Sequence, residues 1–193
     1  MSLEQDRVST SQADIRQAAR NARASLSVAE RDRGSQRIFE KVVSASWFQR
    51  AEYVACYLPA VDEVNTWEII ARAWAMKKRV FAPVVEKNST MQFREITAET
   101  ELHANRYGLL EPKTGDIASA RMLDLELTPG VACDEENNRV GMGGGDYDHP
   151  FSVLKHRGER RRPNLVGLAF ACQKVEEIPP NPWDIPLFRT ITD

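Results

Sequence analysis

The stretch Asn138-Arg139-Val140-Gly141-Met142-Gly143-Gly144-Gly145-Asp146-Tyr147-Asp148 puts four of the chain's ten glycines within five residues. Its flanks constrain what such a run can belong to. Upstream, Leu123 to Asp134 alternates and then turns apolar, the pattern of a strand ending in Asp134. Downstream, His149-Pro150-Phe151 places a proline where a first helical turn accepts one. The predicted unit is therefore strand, glycine loop, helix. A backbone without side chains can approach a bulky anion closely, and the free amides and dipole of a helix start favour phosphate. Arg139 before the run and Asp148 after it add a guanidinium and a carboxylate suited to magnesium, which is what a nucleoside triphosphate needs. A flexible turn is the plainer alternative. No Gly-Lys-Ser/Thr closes the loop, so it is not a Walker motif, and it lacks the spacing of a dinucleotide fingerprint.

The rest of the chain alternates helix and strand. Ile15, Ala18, Ala19, Ala22 and Leu26 recur at helical spacing in a segment from about Ser11 to Arg31, and Gln36 to Val43 with Trp47 and Phe48 predict a second helix. Tyr53 to Leu58 is a buried strand, Thr66 to Met76 a helix, and Arg79 to Val85 a returning strand: a βαβ unit. Met91 to Ile96 follows a turn at Lys87-Asn88-Ser89, and Leu165 to Phe170 closes the series. The expected fold is a three-layer α/β domain with a mostly parallel sheet, in one domain over residues 1 to 193. In such a sheet the ligand crevice lies beyond the carboxyl ends of the strands, where both Asp62-Glu63 and the glycine loop fall.

Charge and cysteine content exclude several classes. A formal charge of -2 and a pI near 6.0 give no global attraction to nucleic acid or to an anionic membrane. Cys56, Cys133 and Cys172 are odd in number and widely spaced, which argues against a disulfide framework or a zinc site and predicts core thiols. His103, His149 and His156 show no metal-ligand spacing. No apolar run approaches the roughly 20 residues of a membrane span, and the polar start lacks a signal peptide's apolar segment, so a cytoplasmic location is expected.

The residues resemble the 5-formyltetrahydrofolate cyclo-ligases, also called methenyltetrahydrofolate synthetases. The family signature runs Pro-Gly-x-Ala-Phe-Asp, a short turn, Arg-Leu-Gly, then x-Gly-Gly-Gly-aromatic-Tyr-Asp-Arg, and residues 129 to 149 follow it closely. Four further blocks stand in the right order. They are Arg16, Arg20 and Arg23 before Leu26-Ser27; Tyr57-Leu58-Pro59 with Glu63-Val64-Asn65-Thr66; Asn105 to Pro112; and Trp183-Asp184-Ile185-Pro186-Leu187. The resemblance implies a Rossmann-like α/β/α fold and ATP-dependent closure of 5-formyltetrahydrofolate to 5,10-methenyltetrahydrofolate, with ATP and Mg2+ as cofactors. A monomer is expected, acting on a small-molecule folate that can be polyglutamylated.

It further implies roles for particular residues. Arg16, Arg139 and the backbone of Gly141, Gly143, Gly144 and Gly145, with the adjoining Asp146, Tyr147 and Asp148, would bind the nucleotide. Arg139, Tyr147 and Asp148 would serve catalysis. Leu58, Glu63, Tyr107 and Tyr147 would contact the folate, and Asp148 and Asp184 would coordinate magnesium. Each has a duller alternative. Arg16, Arg20 and Arg23 fit the solvated stripe of an amphipathic helix, Glu63 and Asp184 fit surface carboxylates, and Tyr107 fits half-buried packing. The cluster Lys155, Arg157, Arg160, Arg161 and Arg162 is either an exposed loop or an attractor for a polyglutamate tail.

Three departures from the family pattern make the site less positive. Asp146 replaces an aromatic residue, His149 replaces a basic one, and Gln12 stands where a lysine is common. A carboxylate about 5 Å from a phosphate charge costs roughly 3 kcal/mol at an effective dielectric of about 20. Asp146 therefore turns away from the triphosphate, or helps hold magnesium, or marks a shift toward another substrate or toward binding without turnover.

Overall fold

The computed structural model describes residues 11–85, 91–105, 108–141, 163–181 and 184–193. Two reciprocal caps organise the start of the chain. The Ser11 hydroxyl accepts the Asp14 N–H while the Asp14 carboxylate accepts the Ser11 N–H, and Ser27 and Glu30 repeat the arrangement. They start α1 (Gln12–Ala24) and α2 (Val28–Ser44). The expected single helix from Ser11 to Arg31 is thus two helices, because a second capping box at Ser27 satisfies the amides of a new helix start, each box contributing about 1 kcal/mol. A short α3 (Ser46–Arg50) turns Trp47 and Phe48 into the core.

The βαβ unit has the predicted form: β1 (Tyr53–Cys56), α4 (Trp67–Ala75) and β2 (Arg79–Val85), with Val54 opposite Val80 in a parallel pair. Next come β3 (Met91–Ile96), the hairpin of β4 (Leu102–Ala104) and β5 (Leu110–Pro112), β6 (Ile117–Ala118), β7 (Leu125–Pro129), a small hairpin of β8 (Ala132–Cys133) and β9 (Arg139–Val140), β10 (Asn164–Ala169) and β11 (Arg189–Thr192). Among the described residues seven strands form one sheet in the order β11-β10-β7-β1-β2-β3-β6. It is parallel from β11 to β2, and β3 and β6 extend it antiparallel. The fold is α/β with a mixed, mostly parallel sheet.

Apolar residues on both faces of the central strands account for this layering. Ile38, Val42, Phe48, Ile69 and Ile70 of α2, α3 and α4 pack on Val54, Val80, Leu125, Leu127 and Val166. On the opposite face Ala55, Phe81, Phe93 and Leu165 meet Ile185 and Leu187. The helix expected from Phe151 lies outside the described residues.

One strand is shorter than its apolar pattern predicts. The run toward Asp134 breaks after Pro129, which has no N–H to continue the ladder. The Gly130 N–H makes a last 3.3 Å contact to the Leu168 carbonyl, and the chain then turns into β8, whose partner is β9. The glycine run therefore leaves a two-stranded hairpin rather than the sheet itself.

Candidate active site

Helix α1 lies over this hairpin, with Ile15 and Ala19 packed against Val131, Ala132, Val140 and Ile178. A second stripe of the same helix carries Gln12, Arg16 and Arg23, spaced by four and seven residues and so on one side. Each holds a different loop. The Gln12 amide donates to the Pro179 carbonyl at 2.9 Å and to Asp184 Oδ2 at 3.0 Å. Arg16 Nε donates to the Gly141 carbonyl at 2.8 Å, at the entrance to the glycine run. Arg23 donates to Asp62 Oδ2 through Nε at 3.0 Å, lies 2.9 Å from it through Nη2, and reaches within 3.9 Å of Glu63 Oε1.

Arg23 corrects the solvated-stripe alternative: it is only 4 % exposed, whereas Arg20 is exposed as that alternative requires. A buried guanidinium is stable there because Asp62 takes two of its donors. Glu63 Oε2 in turn accepts the Ala60 N–H at 3.0 Å. Burial pushes the Glu63 carboxyl above its ordinary range, and the Ala60 amide and the Arg23 charge offset part of that rise. Leu58, just beyond β1, is buried in the core cluster.

The hairpin turn is fastened by Asp134, which is 4 % exposed and accepts the N–H groups of Glu136, Asn138 and Ile178 and the side-chain amide of Asn138 at 2.9 to 3.0 Å. In this turn Asn137 lies in the left-handed region, at φ 65°, and Asn138 joins the Asp134 network. Asn137 Oδ1 accepts the Thr190 N–H at 2.8 Å and its carbonyl accepts the Leu187 N–H at 3.2 Å. The hairpin thereby fixes both Arg139, on β9, and the C-terminal segment that carries Asp184. Arg139 Nη1 donates to Thr128 Oγ1 at 2.7 Å, near the end of β7.

Because β1 and β7 are adjacent and parallel, the Asp62-Glu63 loop and the hairpin leave the sheet at the same end. Arg16, Gly141, Arg139 and Asp184 therefore gather around the N-terminal half of α1 and the hairpin, and Glu63 is tied to the other half of α1. Gly143, Gly144, Gly145, Asp146, Tyr147 and Asp148 lie outside the described residues, as do Tyr107, His149 and the basic cluster from Lys155 to Arg162. Among the described residues no three His, Cys, Asp or Glu side chains form a metal-holding group. Asp184 Oδ2 already accepts the Asn181 N–H at 2.7 Å besides Gln12, so its carboxylate is held in place by two donors.

Sequence patterning did not give the structural roles of Gln12, Arg23 and Glu126. Gln12 and Arg23 are ordinary members of a polar helix face until their partners, more than a hundred and about forty residues away, are known. Glu126 falls in an alternating run that predicts a solvent-facing side chain, yet it is fully buried at the middle of the sheet. The cysteines are also divided. Cys56 and Cys133 are buried, with burial raising both thiols, that of Cys133 to about 11, but Cys172 is exposed and so is not a core thiol.

The fold and these loops define a class. The chain aligns with the NMR structure of Aquifex aeolicus 5,10-methenyltetrahydrofolate synthetase at a TM-score of 0.78 and 28% identity, covering 91% of this chain and 86% of that one. A Mycoplasma pneumoniae 5,10-methenyltetrahydrofolate synthetase shares the fold at a TM-score of 0.75 and 22% identity, over 95% of this chain and 99% of that one. Residues 8–193 match the 5-formyltetrahydrofolate cyclo-ligase family, and the chain belongs to that family of ATP-dependent ligases. The 5-formyltetrahydrofolate cyclo-ligase of Haemophilus influenzae is 31% identical over 90% of this chain and 93% of its own length. That of Escherichia coli K12 is 37% identical over 74% and 78%.

Proposed function

We propose that this protein converts 5-formyltetrahydrofolate to 5,10-methenyltetrahydrofolate at the expense of ATP, using the loops tied to α1. The observation that carries the reading is that one helical stripe, Gln12, Arg16 and Arg23, binds the C-terminal loop, the start of the glycine run and the Asp62-Glu63 loop together. A formyl oxygen is a poor leaving group. Transfer of the terminal phosphoryl group of ATP to it gives an imino phosphate, nitrogen-10 attacks the carbon, and phosphate departs as the ring closes. The protein's work is positioning and charge neutralisation, with no covalent nucleophile.

In this proposal Arg139, Arg16 and the backbone of Gly141, Gly143, Gly144 and Gly145 hold the triphosphate, with Asp146 and Tyr147 beside it. Leu58, Glu63, Tyr107 and Tyr147 contact the folate, Glu63 at its pterin end. Asp184 and Asp148 are the ligands offered to Mg2+, a hard cation that takes carboxylate oxygens. When bound, the ion neutralises phosphate charge. The two-donor anchoring of Asp184 fits that use, since a metal-binding carboxylate needs a fixed orientation.

The enzyme is proposed to act as a single-domain cytoplasmic monomer. Among the described residues no helix is long and apolar enough to cross a membrane. The basic cluster at Lys155, Arg157 and Arg160 to Arg162 is proposed to attract the polyglutamate tail. Neutralising Arg160 to Arg162 should then lower the preference for polyglutamylated over monoglutamylated substrate.

The direct test is incubation with 5-formyltetrahydrofolate, ATP and magnesium, following the ultraviolet absorbance of the methenyl product against a control without ATP. ATP-dependent product is expected. Binding of both ligands without product would overturn the catalytic reading, and the pair Asp146→Tyr, His149→Arg would then be the variant to assay for restored turnover.

A further inference from the structure

Glu126 is the one fully buried carboxyl among the described residues whose two oxygens both lack a hydrogen-bond partner there. It is the second residue of β7, opposite Ala55 of β1 on one side and Leu165 of β10 on the other. Both neighbours are buried members of the apolar cluster on that face of the sheet. An unpartnered carboxyl in such a place costs stability, and a leucine of similar volume would fill it without that cost. Its fold-level neighbours give no packing reason for an acid.

Two residues along the same strand, and therefore on the same face, is Thr128, whose hydroxyl accepts Arg139 Nη1 at 2.7 Å. Reaching Thr128 brings the Arg139 guanidinium over this face of β7, where its positive charge acts on Glu126. We propose that Glu126 is a positioning residue for Arg139: its buried polar group draws the guanidinium onto β7 beside Thr128 and sets the direction from which Arg139 meets the nucleotide. This rests on the assignment of Arg139 to the triphosphate.

Charge bookkeeping explains why the group is an acid held in a dry place. Burial drives Glu126 strongly toward its neutral form, and Arg139 offsets only part of that push. A neutral carboxyl attracts a guanidinium through its carbonyl dipole without cancelling the positive charge. An ionised carboxylate would orient Arg139 more strongly but would neutralise the charge that a triphosphate needs. Glutamine reproduces the neutral dipole, and an apolar side chain does not.

The test compares Glu126→Gln with two apolar variants, Glu126→Leu and Glu126→Met, in the wild-type and Arg139→Ala backgrounds. ATP binding is measured by calorimetry alongside KM, kcat and Tm. The apolar variants should weaken ATP binding and raise the ATP KM by about three- to tenfold, with kcat within about twofold. Their Tm should be equal to or above that of the wild type, and Glu126→Gln should keep ATP affinity within about twofold. Adding Glu126→Leu to Arg139→Ala should change ATP affinity no further. Unchanged ATP affinity in both apolar variants, while Arg139→Ala weakens it, would overturn the positioning role. A loss of Tm without a loss of affinity would also overturn it, in favour of a purely structural role. If Arg139→Ala alone leaves ATP affinity intact, the nucleotide assignment of Arg139 fails, and that result is separable from the other two.

Discussion

The side-chain amide of Gln12 donates to Asp184 Oδ2 at 3.0 Å across 172 residues of chain, so the first turn of the first helix orients a carboxylate near the C-terminus. The contact is partly exposed, and a hydrogen bond to a charged acceptor in that setting contributes about 1 kcal/mol. Gln12→Ala should therefore lower Tm slightly and raise the magnesium concentration for half-maximal turnover a few-fold, read from a magnesium titration at saturating ATP. Asp184→Ala should abolish most magnesium-dependent turnover. Near-normal activity in Asp184→Ala would remove that residue from the site, and the same result in Asp148→Ala would remove Asp148.

Arg23 is a sharper case because it is buried. Arg23→Ala strands Asp62 and loosens Glu63, and should cost roughly 2 kcal/mol, less than a fully buried pair because the Asp62 side chain is 40% exposed. The KM for 5-formyltetrahydrofolate should rise while the ATP KM changes little. Arg23→Lys should recover only part of the loss, since an ammonium cannot serve Asp62 through two nitrogens at once. Equal effects on both substrates would show that Arg23 supports the fold at large rather than the Glu63 loop.

Glu63 supplies a pH prediction. Its folded carboxyl binds a proton more readily than the unfolded one, because burial raises it. The folded state then holds more protons over the window from the ordinary carboxylate range up to the raised value. The contribution of Glu63 to stability is greatest below that window and is lost as pH rises through it. Glu63→Gln should flatten this dependence in thermal melts taken between about pH 4 and pH 7, while weakening folate binding. A wild-type profile unaltered by the substitution would mean that Glu63 titrates alike in both states.

Asp134 accepts four hydrogen bonds in the turn between β8 and β9 and to Ile178. Asp134→Ala removes the acceptor of the buried Ile178 amide and of the partly buried Glu136 and Asn138 donors, and should destabilise by about 3 kcal/mol. It should also weaken ATP binding, since Arg139 and Gly141 follow directly on the turn. Asp134→Asn keeps an acceptor and should retain more than half of the stability. A Tm within a degree or two of wild type for Asp134→Ala would contradict this role; a 1 kcal/mol change alone shifts Tm by about 2–4 °C at this size.

The sequence by itself determined the elements with strong local patterns and the family blocks. The βαβ unit from Tyr53 to Val85 and the strand Met91–Ile96 were legible because apolar periodicity and turn residues are local signals. Arg16, Arg139, Gly141, Glu63 and Asp184 were selected by motif position, which carries chemistry but no distances. Tertiary structure decided the rest. Pro129 ended a strand that the apolar run extended to Asp134, since a ladder needs an N–H that hydropathy does not record. Short elements such as β11 and β6 form only by pairing with β10 and β3, partners far away in the chain. The roles of Gln12, Arg23 and Glu126 were likewise set from outside their own segments. A polar side chain has the same local sequence signature in solvent and in a buried contact, and only the fold determines which of the two it meets.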